Sequence, residues 1–310
     1  MFLILLTACT PDKEVYTINE VTVAPPAEAP MPEWELEDVE LFNCMQFEEW
    51  RWGAESSCKV ILAFNSTPSP PPEPPTDNGS DLPPPPQEGE CQFIDEAPEQ
   101  GPPQSPSPVN GVDAGPVLYL ESDTLSLELI RQDHGEYGIV YALPDCSEST
   151  FPFGELMDLV VPGSDLEDGI PAFTLEAVIA FDVRPDFSIT PNEDNILTHD
   201  IDTDFPLIWS IDESAPALQS SSDVGRRFEV SDGGYPKIEC TPTESGIDVD
   251  ENTLQQLYSY TVEPEVRFHR SYRGPERTLP WGVRAQTSTQ YHLRGTLLLE
   301  SNDNLADSGQ

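Results

Sequence analysis

Positive charge is scarce in this sequence. Its 310 residues hold 14 Lys and Arg against 57 Asp and Glu, a formal net charge of −43. A surface of that sign repels nucleic-acid phosphates and anionic headgroups, so neither is expected as a partner of the chain as a whole. The cations are unevenly placed. Nine of the 14 lie from Arg226 onward, and none lies between Lys59 and Arg131. Any surface that attracts an anion must therefore be built by the last quarter of the chain.

Long apolar runs are missing as well: nothing approaches the roughly 18 consecutive apolar residues of a membrane-spanning helix. Histidine is limited to four scattered residues, His134, His199, His269 and His292. No Gly-x-Ser-x-Gly elbow, His-Glu-x-x-His pair, Walker loop or dinucleotide fingerprint occurs. No catalytic residue is assigned, and no enzymatic activity is expected.

At the amino end, the apolar residues 2–6 are followed by Thr7, Ala8 and Cys9. An apolar stretch closing on small residues is the pattern of a secretory signal. Leu6-Thr7-Ala8-Cys9 resembles the lipobox of bacterial lipoproteins. That resemblance implies that residues 1–8 are a signal peptide and that a diacylglycerol is attached to Cys9. The lipid would then anchor the mature chain in the cell envelope. In enteric bacteria an Asp directly after the cysteine retains a lipoprotein at the inner membrane; Thr10 stands there instead, which favours the outer membrane of a Gram-negative bacterium.

Downstream, the chain divides by composition. Residues 9–30 read as a flexible Pro/Ala-rich tether. Residues 31–65 hold three of the five tryptophans and the pair Cys44 and Cys58. They predict a small hairpin stapled by a Cys44–Cys58 disulfide, worth about 3 kcal/mol in the chain-entropy account. So few residues seldom sustain a core alone, so the hairpin is expected to dock on the main body. Residues 66–112 are a Pro-rich linker, expected to be extended and partly polyproline II because proline locks φ and donates no hydrogen bond. Residues 113–300 show short strands between turn residues, including 117–121, 156–161, 237–241 and 264–272. Asp133-His134-Gly135-Glu136 and Ser231-Asp232-Gly233-Gly234 read as hairpin turns. One helix is predicted, with Asp250 as N-cap and Leu254 and Leu257 on one face. The fold class is mainly β, a β-sandwich with one short helix. Trp209 is its expected core tryptophan on a central strand. Residues 301–310 form a polar tail.

The segments Ile170-Pro171-Ala172-Phe173, Pro206-Leu207-Ile208-Trp209-Ser210 and Ile238-Glu239-Cys240, with Gly246 and the run from Asp250 to Leu257, resemble a module of uncharacterised secreted lipoproteins from myxobacteria and their relatives. The resemblance covers roughly residues 170–300. It implies an immunoglobulin-like sandwich and an exported setting, without an assigned chemistry.

Setting Cys9 aside leaves five cysteines in an oxidising compartment, an odd number. The pairing read from the sequence is Cys44–Cys58 and Cys146–Cys240, which leaves Cys91; Cys91–Cys146 is the alternative. Two clusters could bind ligands. Alternate aspartates at Asp200, Asp202 and Asp204 could aim oxygens at one Ca²⁺, although Phe205 stands where an EF-hand needs Gly. Arg267 and Arg273 share one strand face with His269 and Ser271, and Arg277 follows. They form either a solvent face paired with acids or a patch for an anionic glycan or acidic envelope protein. The expected function is a membrane-anchored lipoprotein presenting a binding or structural module. The alternatives are a subunit of an envelope assembly, or a hydrolase or Ca²⁺-binding protein with an unfamiliar site.

Overall fold

A computed structural model of the chain describes residues 39–66, 84–96, 111–133, 138–166, 169–219 and 223–301. Cys9, the signal and tether, most of the Pro-rich stretch, the Asp133 turn beyond Asp133 itself and the tail lie outside the described residues.

The chain is mainly β. The strands β1 (Val39–Trp50) and β2 (Glu55–Ser66) form a hairpin, and β3 (Glu90–Ile94) follows. Next come β4 (Gly111–Val112), β5 (Val117–Glu121), β6 (Ser126–Asp133), β7 (Ile139–Ala142), β8 (Leu156–Val161) and β9 (Phe173–Ala180). Then follow β10 (Asp186–Phe187), β11 (Ile196–Asp200), β12 (Phe205–Ser210), β13 (Asp223–Ser231), β14 (Lys237–Thr241) and β15 (Gly246–Val249). The last four are β16 (Glu265–Arg273), β17 (Arg277–Thr278), β18 (Arg284–Ala285) and β19 (Ser288–Glu300).

The main sheet runs β3-β14-β13-β16-β19-β1-β2-β7-β6-β5-β8-β9, with β11 added on β19 and β4 on β2. The hairpin therefore supplies its middle. β1 pairs in parallel with β19, Phe47 opposite Tyr291, and β2 pairs antiparallel with β7. One continuous core fills the space between the layers, with Met45, Phe47, Leu62, Phe64, Phe228, Phe268 and Tyr291 all buried. The second layer facing β16 and β19 is the small sheet β10-β12-β15. Along β12, Phe205, Leu207 and Trp209 point inward while Pro206, Ile208 and Ser210 point out, as a half-buried strand's period of two requires. Trp209 is a core residue, 4.8 Å from Phe268 between ring centroids, and it sits on β12, the middle strand of this small sheet.

The ladder does not close into a barrel. Where β9 reaches β19, threonine hydroxyls replace backbone pairing: Thr287 Oγ1 donates to Val178 O and Thr289 Oγ1 to Ala180 O. Among the described residues, one helix of more than a single turn forms, Glu251–Tyr258. Asp250 caps it by accepting from Thr253 N at 3.1 Å, and Leu254 and Leu257 are buried. That satisfies one of the otherwise orphaned first-turn donors.

The disulfides differ from the sequence pairing. Among the described residues they join Cys58 to Cys146 and Cys91 to Cys240. The register explains the first correction. Cys44 lies opposite Ile61 and Cys58 opposite Phe47, so the two cysteines point to opposite faces of the hairpin and cannot meet. For the second, residues 90–94 of the Pro-rich stretch are a strand, and Cys91 stands directly opposite Cys240 across the β3–β14 ladder. The segment read as linker thus contributes the edge strand of the main sheet.

Candidate functional site

Neither cluster singled out from the sequence assembles into a site. Asp200 Oδ1 accepts from Asp202 N, Asp202 Oδ1 from Gln255 Nε2, and Asp204 Oδ1 from Glu251 N at the start of the helix. The three carboxylates serve turns and helix ends instead of converging. Among the described residues no group of three or more His, Cys, Asp or Glu side chains is placed to hold a metal. The arginines are dispersed too. Arg267 contacts Glu265 at 2.5 Å and Glu229 at 3.9 Å. Arg273 ends β16 opposite Asp223 and Ser288. Arg277 lies on the separate β17–β18 pair, where its Nε donates to Glu176 O. With Glu229, Glu239 and Lys237 joined to the same network, this face is a mixed lattice of charge rather than a positive patch.

A different place has the properties of a binding site. Beside the β1–β2 turn lies a cleft of about 470 Å³, within the size range of small-ligand sites. Glu49, Trp52, Arg184, Asp186, Phe187 and Leu293 line it, with Gly53, Pro185, Ile189 and Pro191. Each is brought there by a distinct feature. Glu49 is in phase with Met45 and Phe47 on the inward face of β1, so the strand's alternation carries a carboxylate into the core at 4 % exposure. The turn that follows has Arg51, Trp52 and Gly53 at φ 53°, 57° and 91°. This left-handed path is strained for the two non-glycine residues. It swings Trp52 back over β19, where its Nε1 donates to Thr296 O at 2.9 Å. Arg184 to Pro191 run from the end of β9 through β10 and close the other wall.

The polar core of the cleft is three side chains. Tyr291 OH donates to Glu49 Oε2 at 3.0 Å, and Arg184 Nε stands 2.6 Å from Glu49 Oε1. Arg184 Nη1 also donates to Glu148. The Arg184–Glu49 contact is close but out of line, so Oε1 has no aligned hydrogen bond although it is buried. Burial accordingly wins at Glu49: its carboxyl is raised above the usual range, with Arg184 and Tyr291 opposing. Burial also raises the Tyr291 hydroxyl well above its ordinary value, with the Glu49 charge adding, so it stays a donor. Burial pulls the Arg184 guanidinium down, but Glu49 and Glu148 more than offset this and hold it charged.

Chemically, the arrangement can orient a ligand against apolar walls. Its described lining has two carboxylates and a guanidinium but no Ser, Thr, Cys or His to serve as nucleophile or imidazole base. Sequence reasoning missed it. The available signals were the inward parity of Glu49 and the rarity of Arg184, one of five cations before residue 226. No protein-family model matches the chain, and no curated protein matches it in sequence.

Proposed function

We propose that this chain is an exported lipoprotein, held in the cell envelope by a lipid on Cys9, that presents its β-sandwich as a binding module. The Leu6-to-Cys9 pattern and the Pro-rich stretch behind it support the anchor and its stalk. The observation that carries the binding reading is the cleft, in which a buried carboxylate is fixed by Arg184 and Tyr291 beneath an aromatic and proline wall. Fixed polar groups within an apolar recess orient a ligand at little entropic cost. The sandwich and its two long-range disulfides support an oxidising, extracytoplasmic setting.

Fractionation of bacteria expressing the full chain tests the anchor. The wild type is expected in the detergent-soluble membrane fraction, and Cys9→Ala in the soluble envelope fraction. A Cys9→Ala protein that stays with the membrane as completely as the wild type would overturn the lipid as anchor.

A further inference from the structure

We infer that the cleft beside the β1–β2 turn takes an organic cation with an apolar stem, an alkylammonium or alkylguanidinium group; this rests on the binding reading above. Charge at the cleft is the first ground. Glu49 lies on its floor, Asp186 on its exposed rim, and Glu148 beside Arg184. Arg184 is the one cation among the described lining residues, and both Glu49 and Glu148 already hold it. The local balance is therefore negative even with Arg184 counted, and an anion would have to displace a carboxylate from that guanidinium.

Shape and lining give the second ground. Phe187, Ile189, Pro185, Pro191 and Leu293 offer no hydrogen-bonding side chains, so beside the charged groups there is an apolar side that a hydrocarbon stem can cover. A small, strongly hydrated inorganic cation would leave those walls wet. An alkyl stem covers them, while its charged head answers the carboxylates and meets an aromatic wall suited to cation–π contact. The acidic field of the whole chain concentrates such ligands near its surface. The shared chemistry fits either a small free amine or the basic side chain of another protein.

The test titrates the full-length protein with butylammonium, methylammonium, butyrate and the peptide acetyl-Ala-Lys-Ala-amide, followed by ligand-observed NMR. Physiological salt limits diffuse attraction to about 8 Å. Butylammonium is expected to saturate one site and to bind more tightly than methylammonium, by about fourfold per methylene. Asp186→Asn, on the exposed rim, is expected to weaken it about two- to fivefold. Tighter binding of the lysine peptide than of butylammonium assigns the site to a protein side chain; the reverse order assigns it to a free amine. Preferential binding of butyrate, lost in Arg184→Gln, would overturn the inference while leaving the cleft a binding site. Equal, unsaturable responses to both amines, unchanged by Asp186→Asn, would overturn the inference and the binding reading together.

Discussion

Asp182 and Arg270 carry opposite charges into the interior where β9 ends against β16 and β19. Both side chains are almost fully buried, and Arg270 Nε lies 3.2 Å from Asp182 Oδ2 without an aligned hydrogen bond. Burial pushes the Asp182 carboxyl up to about 6, with Arg270 opposing. Such a pair is costly to bury and costlier to break, because either partner alone is an uncompensated charge. Asp182→Ala should therefore destabilise the fold by about 3–5 kcal/mol in denaturant titration, and Asp182→Ala with Arg270→Met by clearly less. Equal losses in the single and double variants would show that the charges are not coupled.

His269 and His292 lie on the opposite face of β16 and β19, their ring centroids 4.5 Å apart and their planes tilted by 39°. Burial drives His269 down to about 4 with Arg227 adding, and drives His292 well below its usual value with His269 and Arg294 adding. Glu48 faces His292 across the ladder but is held at 2.8 Å by Arg294. In the unfolded chain both imidazoles take up protons near 6.5. Their contribution is thus present above that pH and is lost as pH falls towards 4. Asp182 runs in the opposite sense: its raised folded value favours the native state at acid pH, an advantage lost as pH rises from 3.8 through about 6. Thermal unfolding from pH 7 to 4 should show the wild type losing up to about 3 kcal/mol relative to His269→Gln. A pH-independent difference would mean that His269 is not held neutral.

Among the elements, the β1–β2 hairpin depends most on one close approach. A Cβ on Gly295 would stand 2.2 Å from the ring of Trp52. The left-handed turn holds its shape only while that ring lies flat on β19 and keeps its bond to Thr296. Gly295→Ala should cost about 1–3 kcal/mol by overpacking and shift tryptophan emission to the red as Trp52 becomes wet. Unchanged stability and emission would contradict this packing.

Alternation along single strands was legible in the sequence. It put Arg267, His269, Ser271 and Arg273 on one face, which is the half-buried face of β16, while Val266, Phe268, Arg270 and Tyr272 fill the buried one. The Asp250 cap was legible because capping is local. Pairing was not. Period-two alternation tells which face a residue takes but not which strand lies beside it, so the parallel meeting of β1 with β19 and the Cys91–Cys240 bridge left no local mark. The cleft escaped for the same reason: Glu49, Arg184 and Tyr291 meet through pairings far apart in sequence.

For the whole molecule, these two bridges among the described residues hold distant parts together. Cys58–Cys146 spans 88 residues and ties the central strand β2 to the segment after β7; Cys91–Cys240 spans 149 and holds the edge strand β3. In the chain-entropy account each removes up to about 5 kcal/mol from the freedom of the unfolded chain, useful where a net charge of −43 favours expansion. The proposal that the sandwich is a lipid-anchored module requires Cys9 to carry its lipid through a thioether, which removes that sulfur from disulfide chemistry. Mass spectrometry of the mature protein, digested without reduction, tests this most directly. The expected result is an N-terminal peptide starting at Cys9 with a diacylglyceryl mass, together with linked peptides for Cys58–Cys146 and Cys91–Cys240. A peptide retaining Met1, or one joining Cys9 to Cys44, would contradict it.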